Sequence, residues 1–168
     1  GTASALVKGG VTATDLATIV GEPILGHRVV TLSREIHAGL LAQNNPNDLA
    51  ELVRIGVPML DLVYVNLYPL AEEIAKERCT LASVIEKTDI GGPCMLRSAA
   101  KGRRIVMCKP EQIEEVLLAI RQHHFMDGEE LPESFISKLA AVAEDEVSVY
   151  SRISAQFHAQ VAGMLWLN

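Results

Sequence analysis

Two hydrophobic spacings take turns along this chain: unbroken apolar runs, and apolar residues at steps of three or four. Leu62-Val63-Tyr64-Val65-Asn66-Leu67 is an almost continuous run after Pro58 and Asp61, and Ile105-Val106-Met107-Cys108 is a second. Such runs predict strands buried on both faces, as in parallel sheets. Around and between them the period lengthens. It predicts helices over Ala71 to Lys76, over Leu81 to Glu86 with Thr80 as N-cap, and over Cys94 to Lys101 with Pro93 near the first turn. Another is predicted over Pro110 to His123, stopping before Asp127-Gly128. Strand, helix, strand, helix in that order predicts an α/β fold with a parallel sheet and right-handed crossovers.

The two ends differ from this middle. At the start, a short helix over Thr2 to Lys8 is predicted to end at Gly9-Gly10, and Val11 to Thr14 alternates as a brief strand would. Gly21 to Gly26, with Pro23, reads as a loop. Glu35 to Gln43 is helical, Asn44 to Asn47 breaks it, and Asp48 to Arg54 resumes. After Pro132, up to Val161, there is neither glycine nor proline. Phe135, Leu139, Val142, Glu146, Tyr150, Ile153, Phe157 and Val161 recur there at helical steps, one long amphipathic helix or two in sequence, packed on the sheet or forming a dimer. The whole chain is expected to form a single domain, with residues 132–162 as its helical C-terminal extension.

Composition narrows the functional classes. With 168 residues, 49% hydrophobic and 21% charged, the chain suits one folded domain rather than disorder. Acidic residues outnumber basic ones 21 to 15, for a net charge of -6, so nucleic acid and anionic membranes are not expected partners. No apolar stretch is long enough to span a bilayer and no signal-peptide pattern opens the chain, which points to the cytoplasm. The start at Gly1-Thr2 without methionine suggests a processed or trimmed end. Cys79, Cys94 and Cys108 are odd in number and widely spaced, a reducing-compartment pattern without a disulfide framework. His123 and His124 are adjacent and point about 100° apart on a helix, so no metal site is expected.

Polar residues cluster where an α/β sheet usually meets its ligands, at the carboxyl ends of strands. Asn66 and Tyr68 follow the first buried run, either as site residues or as a turn whose tyrosine hydroxyl is satisfied locally. Asp89-Ile90-Gly91-Gly92-Pro93 opens a helix. Its two glycines allow backbone amides to converge on an anion or carbonyl oxygen, and Asp89 can exchange a proton beside them; the plainer alternative is an aspartate cap on a flexible turn. Lys101 stands twelve residues after Asp89, as a site cation or as a solvated charge favoured by the helix dipole. Arg28, in His27-Arg28-Val29-Val30-Thr31-Leu32, suits a phosphate or a carboxamide oxygen.

Taken together, these segments resemble a known family. Leu62 to Pro69 with its Asn-Leu-Tyr-Pro ending, Asp89 to Pro93 followed by Met95-Leu96-Arg97-Ser98-Ala99-Ala100-Lys101, and Ile36-His37-Ala38-Gly39-Leu40-Leu41-Ala42 look like the inosine monophosphate (IMP) cyclohydrolase domain of the bifunctional purine-biosynthesis enzyme. The resemblance runs over nearly the whole chain. It implies a methylglyoxal-synthase-like fold, a homodimer, no cofactor, and dehydrative ring closure of formamidoimidazole carboxamide ribonucleotide to IMP. By motif, Asp89 handles protons and holds the carboxamide, Lys101 and Tyr68 assist at the formyl oxygen, and Asn66, Ile90, Gly91 and Gly92 line the site. Arg28 and Thr31 match the family's Gly-Arg-Val-Lys-Thr block, and Gly1 and Thr2 match the end of its Ser-Gly-Gly-Thr phosphate loop.

The match departs from the family at two places. The family's Lys and His of Gly-Arg-Val-Lys-Thr-Leu-His-Pro are Val30 and Ser33 here, and Arg34, four residues after Val30, is a candidate replacement cation. The strand, helix and strand that precede the family's phosphate loop have no counterpart in these residues, which implies an upstream segment or another segment in that place. Val30 motivates a second expectation, a purine-nucleotide-binding homologue that has lost catalysis and acts as a subunit or sensor. A third is an enzyme of the same fold acting on another small phosphorylated substrate.

Overall fold

The computed structural model describes residues 2–164. It divides into two compact units, one up to Leu60 and one from Asp61 onward.

The first unit is helical. Helix α1 (Thr2–Lys8) ends where expected: Gly10 takes a left-handed φ of 81°, and the amide of Val11 reaches the carbonyl of Leu6 at 2.9 Å. The strand expected over Val11 to Thr14 does not form. Four residues cannot make a strand without a partner edge, and none pairs with them among the described residues. Instead Asp15 starts the single turn α2 (Ala17–Val20), its carboxylate accepting from the Ala17 amide at 3.0 Å. The Gly21 to Gly26 loop leads into a turn closed by an antiparallel bridge between Ile24 and Val29.

Helix α3 (Arg34–Leu41) begins one residue before the expected Glu35 and ends two before Gln43, and α4 (Pro46–Ile55) begins two residues before the expected Asp48, inside the predicted break, and ends one after Arg54. Ser33 caps α3 by accepting from the Ile36 amide at 3.1 Å. Asn45 caps α4, with Pro46 in its first turn and Gly56 left-handed at its end. Ile36, Leu40, Leu52 and Val57 form the buried apolar residues of this unit. Gly39 is required there: a Cβ on it would stand 2.7 Å from the Pro58 carbonyl oxygen.

The second unit holds the sheet. Strands β1 (Leu62–Tyr64) and β2 (Ile105–Met107) pair in parallel, Leu62 against Ile105, Val63 against Val106 and Tyr64 against Met107. Bonds of 3.0 Å from the Ile105 amide to Asp61 and from the Val65 amide to Met107 extend the ladder at both ends. β2 is buried on both faces, as expected, but β1 is not. Leu62 and Tyr64 are each 42% exposed and only Val63 between them is half-buried. Alternate strand residues face opposite sides, and only the Val63 side of β1 gains cover. The apolar run therefore marked a strand correctly and its two-sided burial wrongly.

Helices α5 (Leu70–Ile74), α6 (Leu81–Lys87) and α7 (Gly91–Lys101) separate the strands; α8 (Gln112–Gln122) and α9 (Glu133–Val161) follow β2. Thr80 caps α6 in a reciprocal box with Ser83. The C-terminal periodicity forms one helix of 29 residues, not two. α7 and α9 pack on each other and on β2, and Leu96, Ala99 and Ala100 of α7 and Leu139, Ala143 and Val147 of α9 are buried. Glu146, the polar exception in the predicted stripe, pairs with Lys109 at 2.8 Å. A second cluster gathers Leu70, Val84 and Tyr150, flanked by Leu67, Ile74 and Phe157. The result is a mixed α/β fold with a small parallel sheet flanked by helices and a long C-terminal helix.

Candidate active site

Past β1, the chain runs through Asn66 and Tyr68 to Pro69, and the turn Thr88 to Ile90 delivers it into α7. Asn66 is exposed and Tyr68 is 58% exposed. The ammonium of Lys87 lies over the Tyr68 ring, 5.9 Å from its centre, a cation-π distance. A cavity of about 190 Å³ opens beside them, lined by Tyr68, Pro69, Glu72, Glu73, Lys76 and Lys87. Within it Glu73 is buried, and the Lys76 ammonium hydrogen-bonded to it, with Ser83 behind, holds its carboxyl below the usual range.

Asp89 is held from several sides. Its Oδ1 accepts from the Gly92 amide at 2.9 Å, so one carboxylate oxygen caps α7, the plainer of its two sequence readings. The same bond occupies the Gly92 amide. Gly92 itself is packed so closely that a Cβ would lie 2.5 Å from Asp89 Oδ2, 2.8 Å from Leu67 and 3.0 Å from Val65. From α9, the Tyr150 hydroxyl accepts from the Asp89 amide at 2.7 Å and donates to the Lys87 carbonyl at 3.3 Å. Burial pushes the Tyr150 phenol pKa up; the bond from the Asp89 amide opposes this, while the Asp89 and Tyr68 charges add to it. By sequence alone Tyr150 is one residue of the apolar stripe of α9. Its one local signal was a buried hydroxyl in need of a partner.

The predicted site residues thus fall into separate groups. Asp89, Ile90, Gly91 and Gly92 share the head of α7. Lys101 is the exposed last residue of that helix, ten rises of about 1.5 Å, or about 15 Å, from Gly91. Arg28 and Thr31 lie in the first unit, where Arg28 is exposed and its Nε donates to the Leu25 carbonyl at 2.7 Å. Thr31 is half-buried. Thr2 opens α1, and Gly1 lies outside the described residues.

The departures from the family motif also have positions. Val30 is half-buried, and the Ser33 hydroxyl is occupied in capping α3. Arg34 does not turn inward as a replacement cation: its side chain is 80% exposed and meets Glu35 at 3.4 Å. Among the described residues no three His, Cys, Asp or Glu side chains converge to hold a metal, and no helix is long and apolar enough to cross a membrane.

Comparison with known proteins adds to this geometry. No family model matches the chain. The bifunctional purine biosynthesis protein PurH of Nostoc punctiforme is 38% identical over 167 residues, 96% of this chain and 32% of that protein. PurH of a Cyanothece species is 46% identical over 126 residues, 73% of this chain and 24% of that protein. The chain therefore spans about a quarter to a third of the length of the curated relatives it matches. Among solved structures, that of ForH superposes with a TM-score of 0.76 at 32% identity, covering 92% of this chain and 80% of ForH.

Proposed function

We propose, because this chain belongs to the methylglyoxal-synthase-like family of PurH-type IMP cyclohydrolase domains, that it closes formamidoimidazole carboxamide ribonucleotide to IMP in purine synthesis. The observation that carries this reading is Asp89, a carboxylate fixed at the head of α7 inside the motif that the family resemblance rests on. In the reaction the carboxamide nitrogen attacks the formyl carbon and gives up one proton, a C–N bond forms, and the formyl oxygen leaves as water while the formamido nitrogen gives up its own proton and forms a C=N double bond to that carbon. The site has to take a proton from nitrogen, stabilise the oxyanion and return a proton to the departing hydroxyl.

In this reading Asp89 accepts the nitrogen proton through Oδ2, since Oδ1 is bonded to Gly92. The positive end of the α7 dipole favours the oxyanion at the same place. Tyr68 offers a hydroxyl to the formyl oxygen, and Asn66 and Ile90 line the approach. Lys101, about 15 Å along α7 from Gly91, is the proposed cation assisting at the formyl oxygen, and the reading includes a homodimer. Arg28, Thr31, Gly1 and Thr2 form the phosphate-binding part of the proposal, and the reaction needs no cofactor. The cytoplasm is the proposed location.

The test is ultraviolet absorbance of the chain mixed with the formamido ribonucleotide. Wild type should form IMP, and Asp89→Asn should lose about a hundredfold or more in kcat while remaining folded. Full activity in Asp89→Asn would remove Asp89 from the chemistry. Val30, together with a Ser33 already engaged as a helix cap, favours one second reading: a purine-nucleotide-binding homologue without catalysis. Calorimetric binding of IMP without turnover would support that alternative over the first.

A further inference from the structure

We propose that Tyr150 is a positioning residue, which holds the turn carrying Asp89 and so aims its carboxylate. The inference rests on the cyclohydrolase reading for what Asp89 does, and on geometry alone for what Tyr150 does. Tyr150 is 7% exposed, its ring packed with Leu70 and Val84 in the core between α5, α6 and α9. Any buried phenol needs one hydrogen-bond partner. This one has two, on either side of Thr88: it accepts from the Asp89 amide at 2.7 Å and donates to the Lys87 carbonyl at 3.3 Å. A phenol that stays protonated is needed for the second bond, and burial keeps it so.

The consequence reaches the carboxylate in two steps. The backbone of Asp89 is tied to a rigid 29-residue helix that itself packs on α7 and β2. From that fixed backbone, Oδ1 is tied to the Gly92 amide, leaving Oδ2 against the bare Cα of Gly92. Without the Tyr150 hydroxyl, the amide of Asp89 and the carbonyl of Lys87 each lose a partner in a half-buried turn, and the turn gains freedom to rotate the carboxylate. Lys87 moves with it, and with Lys87 the ammonium over Tyr68.

Tyr150→Phe tests this, since it keeps the ring in the core and removes only the hydroxyl. A displacement of a reacting group by about 1 Å costs on the order of a hundredfold in rate, so kcat should fall about ten- to a hundredfold with KM within about twofold. Amide exchange at Asp89, followed by NMR, should speed up by about tenfold or more. Ile136→Val, on α9 and buried but far along the helix from residue 150, is the control for lost packing: it should lower Tm comparably and leave kcat unchanged. Equal kcat in the two variants, or unchanged exchange at Asp89, would overturn the proposal. A wild-type chain without turnover would instead sink the cyclohydrolase reading, and exchange at Asp89 would then decide by itself whether Tyr150 holds the turn.

Discussion

Gly92→Ala is a one-methyl change whose cost follows from three distances. The new Cβ would stand 2.5 Å from Asp89 Oδ2, 2.8 Å from Leu67 Cδ2 and 3.0 Å from Val65 Cγ1, each well inside ordinary contact. Leu67 and Val65 belong to the segment that leaves β1, and Leu67 packs against Leu70, Val84 and Tyr150; the closest atom is the carboxylate oxygen, so the carboxylate is expected to swing and give up the Gly92 amide. Overpacking of this kind costs about 1–3 kcal/mol, and losing a helix cap about 1 kcal/mol. Alanine returns up to about 1 kcal/mol over glycine in a helix, less in its first turn. The net expectation is a loss of about 1–3 kcal/mol, which in a chain of this size lowers Tm by about 2–12 °C. Thermal unfolding by circular dichroism measures it, with turnover on the same sample expected to fall about tenfold or more as Asp89 is displaced. A double-mutant cycle with Asp89→Ala isolates the carboxylate: with that side chain gone, part of the penalty should vanish, a coupling of about 1 kcal/mol. A Gly92→Ala variant that melts within about 1 °C of wild type and turns over normally would refute the close packing from which the argument starts.

Two further predictions use groups whose protonation the fold shifts. Cys108 is buried and its thiol is pushed up by burial, with Glu146 adding to the effect, so Cys79 and Cys94 should react with a thiol reagent well before it; mass spectrometry that finds Cys108 labelled first in the native chain would contradict this. Tyr150 and Cys108 both hold their protons more tightly when folded, so the stability they contribute is complete below the unfolded values, about 10 and 8.5, and is lost as pH rises through the folded ones. Urea unfolding should show stability falling above about pH 9, less steeply in Tyr150→Phe; a flat profile in both would contradict the shifts.

Much of the secondary structure was legible because it is decided by bonds that span three or four residues. Ser33, Asn45 and Thr80 accept from amides two or three positions on, and Gly10 and Gly56 end helices by taking a φ that other residues avoid. The long tail was readable for the same reason, since an amphipathic period of 3.6 needs no knowledge of what it packs against. Short strands were less legible. A strand is half of a pair, so neither the absence of one at Val11 to Thr14 nor the one-sided exposure of β1 is written in those residues alone.

The motif residues of the candidate site were recognisable from the sequence, but how they are arranged was not. Asp89 and Gly92 are three residues apart, and their capping bond is local. Tyr150 is sixty-one residues from Asp89, and Leu67 and Val65 meet Gly92 only because β1 and the head of α7 pack together. Lys101 shows the converse: its motif spacing from Asp89 suggested a shared site, and the rise of an intact helix sets the two apart. Local sequence chose the helices, their caps and the residue types at the site, because those depend on backbone bonds within a few residues. Which side chains share a reacting centre depended on packing between distant segments, and that was decided only by the tertiary fold.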